Sequence, residues 1–339
     1  MGAYFIRRLL LVIPTFIGIT FLVFLITRLV PGGPLEELLQ QIQLAGADGA
    51  GNSQTNSGET LSDEQLAELE QFFGLDQSIP QAYMAWMGKL LQLDFGVSTR
   101  FQDPVLTLIK ERLPISLFYG IATLVIVYSV CIPLGIVKAI RHNTSFDYVS
   151  SILVFIGFAI PGYVIGILLL NTFAYYYDWL PLGGFVSDEF ETLGFWGKVN
   201  DVFRHAVLPL IAYVAGSFAM LTLLMKNSLM ENLAKDYMKT AIAKGLSFRQ
   251  AVFRHALRNS LVPIATGFGG VLSVVLTGSF LIESIFNIDG IGLLGYESVV
   301  KRDYPVVMGI LVISSLLYLL GNILSDICVA LVDPRVKFD

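Results

Sequence analysis

Charge is scarce in this sequence. Only 14% of its 339 residues are Asp, Glu, Lys or Arg, where a water-soluble domain carries about a quarter. Apolar residues make up 55% and are gathered into long runs, the pattern that a lipid solvent demands. The net charge of −5 leaves no basic excess for a nucleic-acid partner. Cysteine is nearly missing: Cys131 and Cys328 each lie inside an apolar run and point to neither a disulfide framework nor a metal site. The three histidines, His142, His205 and His255, are isolated, and no H-E-x-x-H motif or Cys/His cluster exists. No G-x-x-x-x-G-K-[ST] phosphate loop is present, so ATP is not bound in that way. The chain is therefore expected to be neither an enzyme nor a holder of a cofactor or metal.

What is present is enough apolar sequence for six membrane crossings. About 20 such residues cross a bilayer as a helix. Six segments qualify: Leu9–Val30, Ile115–Val137, Val149–Leu170, Ala206–Met225, Ser260–Ile282 and Val306–Ala330. Backbone groups in hydrocarbon must bond internally, which makes these runs helices and the fold all-α. The first run is too long for the apolar core of a signal peptide, and Pro31-Gly32-Gly33-Pro34 follows it in place of a cleavage site. It is expected to be an uncleaved span.

The connections alternate in charge. Residues 31–113 hold four bases and twelve acids, whereas residues 226–259 hold seven bases and two acids. Basic connections stay in the cytoplasm. That rule places both termini and the 138–147 and 226–259 loops inside, in a bacterial inner membrane. Arg28 and Asp326 lie near span ends, where snorkelling accounts for them, and no span carries an acid or histidine at mid-depth. A proton-coupled carrier would need such groups.

Residues 31–113 are too long for a simple connection and are expected to form a partly helical outer insertion. The Gly-, Ser- and Asn-rich stretch 45–58 predicts a flexible excursion. Ser62 suits the N-cap of a helix carrying Leu66, Leu69, Phe72 and Phe73, ended by Gly74. A second helix is expected after Pro80, with Tyr83, Trp86, Met87 and Leu90 on one packing stripe. The remaining divisions are the first span at 1–30, a five-helix core at 114–330 and a cytoplasmic tail at 331–339.

The basic loop 226–259 carries the most information. Its spacing predicts a helix over about 233–244, with Leu233, Tyr237, Thr240, Ala241 and Lys244 near one face. Gly245 follows, where a left-handed helix cap needs no side chain. Ser247 and Gln250 then form the S-x-x-Q pattern of a capping box. Val252, Phe253, Ala256 and Leu257 line a second helix, and Pro263 marks entry into the fifth span. Small residues at a helix corner suit close approach by a protein partner. A helix held on anionic lipid of the bilayer would use the same Lys and Arg residues.

Tyr237-Met238-Lys239-Thr240-Ala241-Ile242-Ala243-Lys244-Gly245 and Arg254-His255-Ala256-Leu257-Arg258-Asn259-Ser260-Leu261-Val262-Pro263 resemble the EAA loop of ATP-binding-cassette importer permeases. The version that they resemble is that of the dipeptide/oligopeptide/nickel family. Lys239 stands at about the position of the glutamate from which the loop is named. The likeness extends through Ile6-Arg7-Arg8-Leu9-Leu10, Phe73-Gly74-Leu75-Asp76, Leu93-Asp94-Phe95-Gly96, residues 283–296 and Arg302-Asp303-Tyr304-Pro305. Within that family the details are most similar to the Yej-type permeases for peptides and microcin C.

The resemblance implies a type I importer fold with six transmembrane helices and a large periplasmic insertion between the first two. It implies a second, homologous permease subunit, cassette ATPase subunits and a periplasmic substrate-binding protein. Peptide would be the substrate, with nickel or another small solute as the alternative. Tyr237, Thr240, Ala241, Ala243, Lys244 and Gly245 would contact the ATPase, and Ser247, His255, Arg258, Asn259 and Pro263 would support the loop. Transport would be alternating access, with Pro133, Pro161, Pro209 and Gly278 as bending points or as static kinks and close contacts. No substrate-binding residues are singled out by the sequence.

Overall fold

The structure is a computed structural model that describes residues 2–29, 77–276 and 278–332. The expected excursion at 45–58 and the helix expected at Ser62 lie outside the described residues. Those residues form helices and their connections, with one isolated bridge between Val97 and Pro104. Two compact units emerge: one of Met1–Val12, Arg112–Leu294 and Leu316–Asp339, the other of Ile13–Glu111 and Gly295–Ser315.

Helix α1 covers Gly2–Leu29, α2 Ile79–Leu91 and α3 Val105–Ile140. Helices α4, Ser145–Ala159, and α5, Gly162–Leu169, are followed by a π-helical stretch at Leu170–Tyr176. The long α6 spans Phe195–Leu233. Helix α7 is Asp236–Ala243, and α8, Phe248–Ala251, runs through a π turn at Val252–Ala256 into α9, Leu257–Ser260. Helices α10, Val262–Leu276, α11, Phe280–Ile285, α12, Ile291–Val300, and α13, Tyr304–Val332, complete the described chain.

Among the described residues, four helices are long and apolar enough to cross a membrane: Ile6–Leu29, Val105–Ile140, Phe195–Leu233 and Tyr304–Val332. The expected third span differs from a straight helix. It is broken between Ala159 and Gly162 and turns through 90°. Pro161 at the break supplies no backbone N–H, and Gly162 presses against α6, where a Cβ would stand 2.6 Å from the Ala212 carbonyl oxygen. Pro133 and Pro209, by contrast, sit inside unbroken helices. The expected fifth span is a helix of 15 residues, Val262–Leu276, below the roughly 20 needed to cross alone.

Small residues set the helix crossings of the larger unit. A Cβ on Gly135 would lie 2.6 Å from Met225 Cβ, and one on Gly269 would lie 1.9 Å from the Gly321 carbonyl oxygen. Ser325 Oγ reinforces the second crossing by donating to the Ala265 carbonyl at 2.8 Å. Close backbone approach of this kind replaces the hydrophobic driving force that helices lack within lipid. Arg8 pairs with Asp326 at 2.5 Å, which brings the start of α1 and the last turns of α13 to one end. Asp326, expected only to snorkel, thus has a specific partner.

In the second unit, Tyr83 and Leu90 are buried, as the stripe on α2 predicts. Tyr83 Oη shares a 2.9 Å hydrogen bond with Thr20 Oγ1, and its ring meets those of Phe21 and Phe24 edge-on. The stripe is therefore packing against α1. Ser98 Oγ donates to the buried Asp303 at 2.5 Å, joining the loop before α3 to the start of α13.

Gly269→Val should lower the unfolding midpoint of the detergent-solubilised chain by a cost at the upper end of about 1–3 kcal/mol. Gly267→Ala, where a Cβ meets nothing within 4 Å among the described residues, should raise it slightly, by about 0.5–1 kcal/mol. A thermal melt of the two variants beside the wild type checks this.

Candidate coupling interface

The hairpin between α6 and α10 is built by local chemistry. Helix α6 continues to Leu233, so α7 begins at Asp236 rather than at 233, with Lys235 as its N-cap. Gly245 adopts φ +94°, the left-handed cap that its position predicts. Both halves of the capping box form: the Gln250 amide donates to Ser247 Oγ at 3.4 Å, and the Ser247 amide donates to Gln250 Oε1 at 3.1 Å.

The hairpin has a dry underside and a wet rim. Met238, Ala241, Ala251, Val252 and Ala256 are buried in one cluster with Val127, Cys131, Met225, Leu229 and Ile264. The hairpin core is thus continuous with that of α3, α6 and α10. Ala241, expected on the outer face, packs inward, because a helix this short offers only one stripe to the bundle and Met238 and Ala241 occupy it at i, i+3 spacing. Tyr237, Thr240, Ala243, Lys244 and Gly245 remain on the rim. Phe248 and Phe253 are also about half exposed there, so Phe253 does not join the inward stripe of Val252 and Ala256.

Polar ties hold the two limbs together. Tyr237 Oη donates to Asn232 Oδ1 at 2.7 Å and accepts from Asn259 Nδ2 at 3.4 Å. Ser228 Oγ donates to the Ser260 carbonyl at 3.0 Å. Arg258 Nε donates to the Val332 carbonyl at 2.6 Å, at the last described turn of α13. Pro263 is the second residue of α10, where its missing N–H costs nothing. His255 and Ser247 are exposed, Ser247 through its capping role and His255 on the π turn. Lys239 pairs with Asp236 at 2.8 Å on the exposed side.

Beside this hairpin lies an ion cluster that loop charges alone did not reveal. Asp147, Lys138 and Lys226 come from α4, α3 and α6, and all three are buried. Lys226 Nζ donates to both carboxylate oxygens of Asp147 at 2.7 Å. Lys138 Nζ lies 3.1 Å from Asp147 Oδ1 and donates to the Asp147 carbonyl, Ser150 Oγ and Ser151 Oγ at 3.0, 2.7 and 2.8 Å. His142 Nδ1 lies 3.2 Å from Asp147 Oδ2. One carboxylate thus joins the ends of three helices, next to Ala139 and Met225 of the hairpin core. A separation of 79 positions between Asp147 and Lys226 hides the pairing, and an Asp directly after a basic segment was its only trace.

A second buried acid, Glu283, organises the chain after α10. Its Oε2 accepts the Leu293 amide at 2.6 Å and its Oε1 accepts Tyr213 Oη at 3.3 Å. A Cβ on Gly278 would stand 2.1 Å from this carboxylate, and one on Gly290 2.6 Å. Gly278, at φ +75°, is therefore a fixed close contact.

The described residues thus form a bundle of long apolar helices on which a polar hairpin is seated. Residues 131–338 match the family described as binding-protein-dependent transport system inner membrane component, and the chain belongs to that family. It is similar over its whole length to curated relatives. One is the inner membrane ABC transporter permease protein YejB of Escherichia coli O157:H7, 42% identical with both chains fully covered. Another is the peptidoglycan transport system permease protein YejB of Agrobacterium fabrum, 41% identical over all of this chain and 99% of the relative. The oligopeptide transport system permease protein AppB of Bacillus subtilis is 35% identical with both chains fully covered. The chain is thus a multi-pass membrane permease subunit rather than an enzyme.

Removing the shared carboxylate should be worse than removing either base. Asp147→Ala leaves two buried ammonium groups facing each other and should cost about 3–5 kcal/mol. Lys226→Met leaves the neutral Lys138–Asp147 pair and should cost clearly less. Denaturant titration of the two purified variants checks the order; equal losses would contradict it.

Proposed function

We propose that this chain is one of two permease subunits of an ATP-driven importer of peptides, and that its cytosolic hairpin is where a separate cassette ATPase delivers the work. The observation that carries this reading is the hairpin's two-sidedness. An exposed, small-cornered rim of Tyr237, Thr240, Ala243, Lys244 and Gly245 sits on an underside that is continuous with the bundle core. A lipid-bound interfacial helix would place apolar residues toward the bilayer. It would not need a buried underside, polar ties at Tyr237 and Arg258, and a glycine corner with open space around it.

In this reading Ala241 supports the rim from beneath, and Ser247, Arg258, Asn259 and Pro263 fix its shape. His255 stands exposed on the π turn and would meet the ATPase or the solvent beside it. Both termini and the hairpin lie on the cytoplasmic side, in keeping with the basic 226–259 segment and the Arg8–Asp326 pair. Six crossings complete the bundle, the fifth using α10 and the chain after it. A periplasmic binding protein hands over the substrate, and closure of the ATPase draws the hairpins of the two permeases together. The bundle follows because the hairpin is packed into it, and the balance between inward- and outward-open states shifts.

Peptide is favoured as cargo by relatives whose names give peptide transport, and by one whose name gives peptidoglycan, a polymer with peptide stems. Nickel or another small solute is the alternative, and specificity rests largely with the binding protein.

The test is a pair of substitutions at Gly245 in the assembled transporter. Gly245→Asn keeps a residue able to adopt positive φ and should retain uptake. Gly245→Arg should cut ATP-dependent peptide uptake by about tenfold or more, as loss of a central contact does. Protein should remain in the membrane in both cases. Wild-type uptake by Gly245→Arg would overturn the docking role.

A further inference from the structure

A cavity of about 250 Å³ lies between α3, α5, α6 and the turn before α11. It is an open pocket with room for several ordered waters rather than a sealed void. Its lining is mostly apolar, and the polar side chains among the lining residues all carry hydroxyls: Thr123, Tyr163, Tyr213, Ser217 and Ser279. No charged side chain lines it. The nearest acid, Glu283, is turned to other work, accepting the Leu293 amide and the Tyr213 hydroxyl. Thr123 is 2% exposed, and its hydroxyl oxygen is sealed from the pocket space, with no hydrogen-bond partner among the described residues.

Glycines open the space, and one of them has no other explanation. Gly162 is required by the Ala212 carbonyl, and Gly278 by the Glu283 carboxylate and a positive φ. Gly216, in the middle of α6, would place a Cβ with nothing within 4 Å. A helix-interior glycine forfeits about 0.5–1 kcal/mol against alanine. Among the described residues a side chain there would touch nothing, and Gly216, exposed at the edge of the pocket, leaves its entrance unobstructed.

We propose that this cavity is a subsite on the transport path that takes the backbone of an extended peptide. The inference rests on the importer reading and names the substrate contact within it. Hydroxyls can both donate and accept, which suits the alternating C=O and N–H groups of any peptide. Walls without charge neither favour nor reject particular side chains, so sequences of every kind can pass. The volume fits a short stretch of chain rather than a whole oligopeptide, as a step along a path requires.

The test uses the transporter reconstituted in vesicles with its partner permease, ATPase and binding protein, and radiolabelled tri-alanine as the probe. Gly216→Leu obstructs the pocket entrance and should lower uptake by about tenfold or more while binding-protein-stimulated ATP hydrolysis continues. Uptake at the wild-type rate would overturn the subsite. Should Gly216→Leu lose hydrolysis as well, Ser217→Cys decides: peptide under turnover should slow its labelling by a small thiol reagent, and unchanged labelling would overturn the proposal. If the wild-type assembly moved no peptide at all, the importer reading itself would fail, an outcome distinct from either of these.

Discussion

The carboxylate of Asp147 is the constraint on which the rest of the hairpin end of the bundle depends. It holds Lys226 through both oxygens at 2.7 Å and Lys138 at 3.1 Å, and so fixes the ends of α3, α4 and α6 against one another. A buried cation is tolerated only with such a partner, and two cations sharing one acid leave little freedom for any of the three helices to move alone. Lys138 adds three further acceptors, Ser150, Ser151 and the Asp147 carbonyl, so its ammonium is fully used. Three helix ends are thus tied to one another through a single side chain.

The hairpin is fastened to those helices by packing. Its inward residues are small or flexible, Ala241, Ala251, Ala256 and Met238, and they interlock with Met225 and Leu229 of α6. The Ser228–Ser260 bond and the Arg258–Val332 bond close the gaps at either side. The consequence is mechanical. On the proposed reading, displacement of the rim would pass into the bundle rather than be absorbed at the base of the hairpin.

Much of this was legible in the sequence, and what was not has a physical reason. Gly245 and the Ser247–Gln250 box could be read because capping is decided within four residues of chain. The α2 stripe could be read because period and burial agree. The turning of Ala241 into the core was not readable, since an alanine fits a packed stripe and an open corner equally well. The ion cluster was hidden because its members come from separate helices, and spacing says nothing about partners 79 residues apart. The 90° break at Pro161 was expected only as a kink. Its size depends on Gly162 meeting Ala212, a contact that hydropathy cannot register. The cavity hydroxyls were equally invisible, because a Thr or Ser in an apolar helix most often bonds its own backbone.

The central claim is that the hairpin and the bundle move as one piece when the ATPase acts. Spin labels at Thr240 on the rim and Met220 on the exposed face of α6 report on it directly, by the distance between them in the assembled transporter. The account predicts that this distance stays fixed on ATP binding while the separation between the Thr240 label and its counterpart on the partner permease shortens. A change in the Thr240–Met220 distance, with the two permeases' hairpins approaching all the same, would show a hinge at the base of the hairpin and contradict the account.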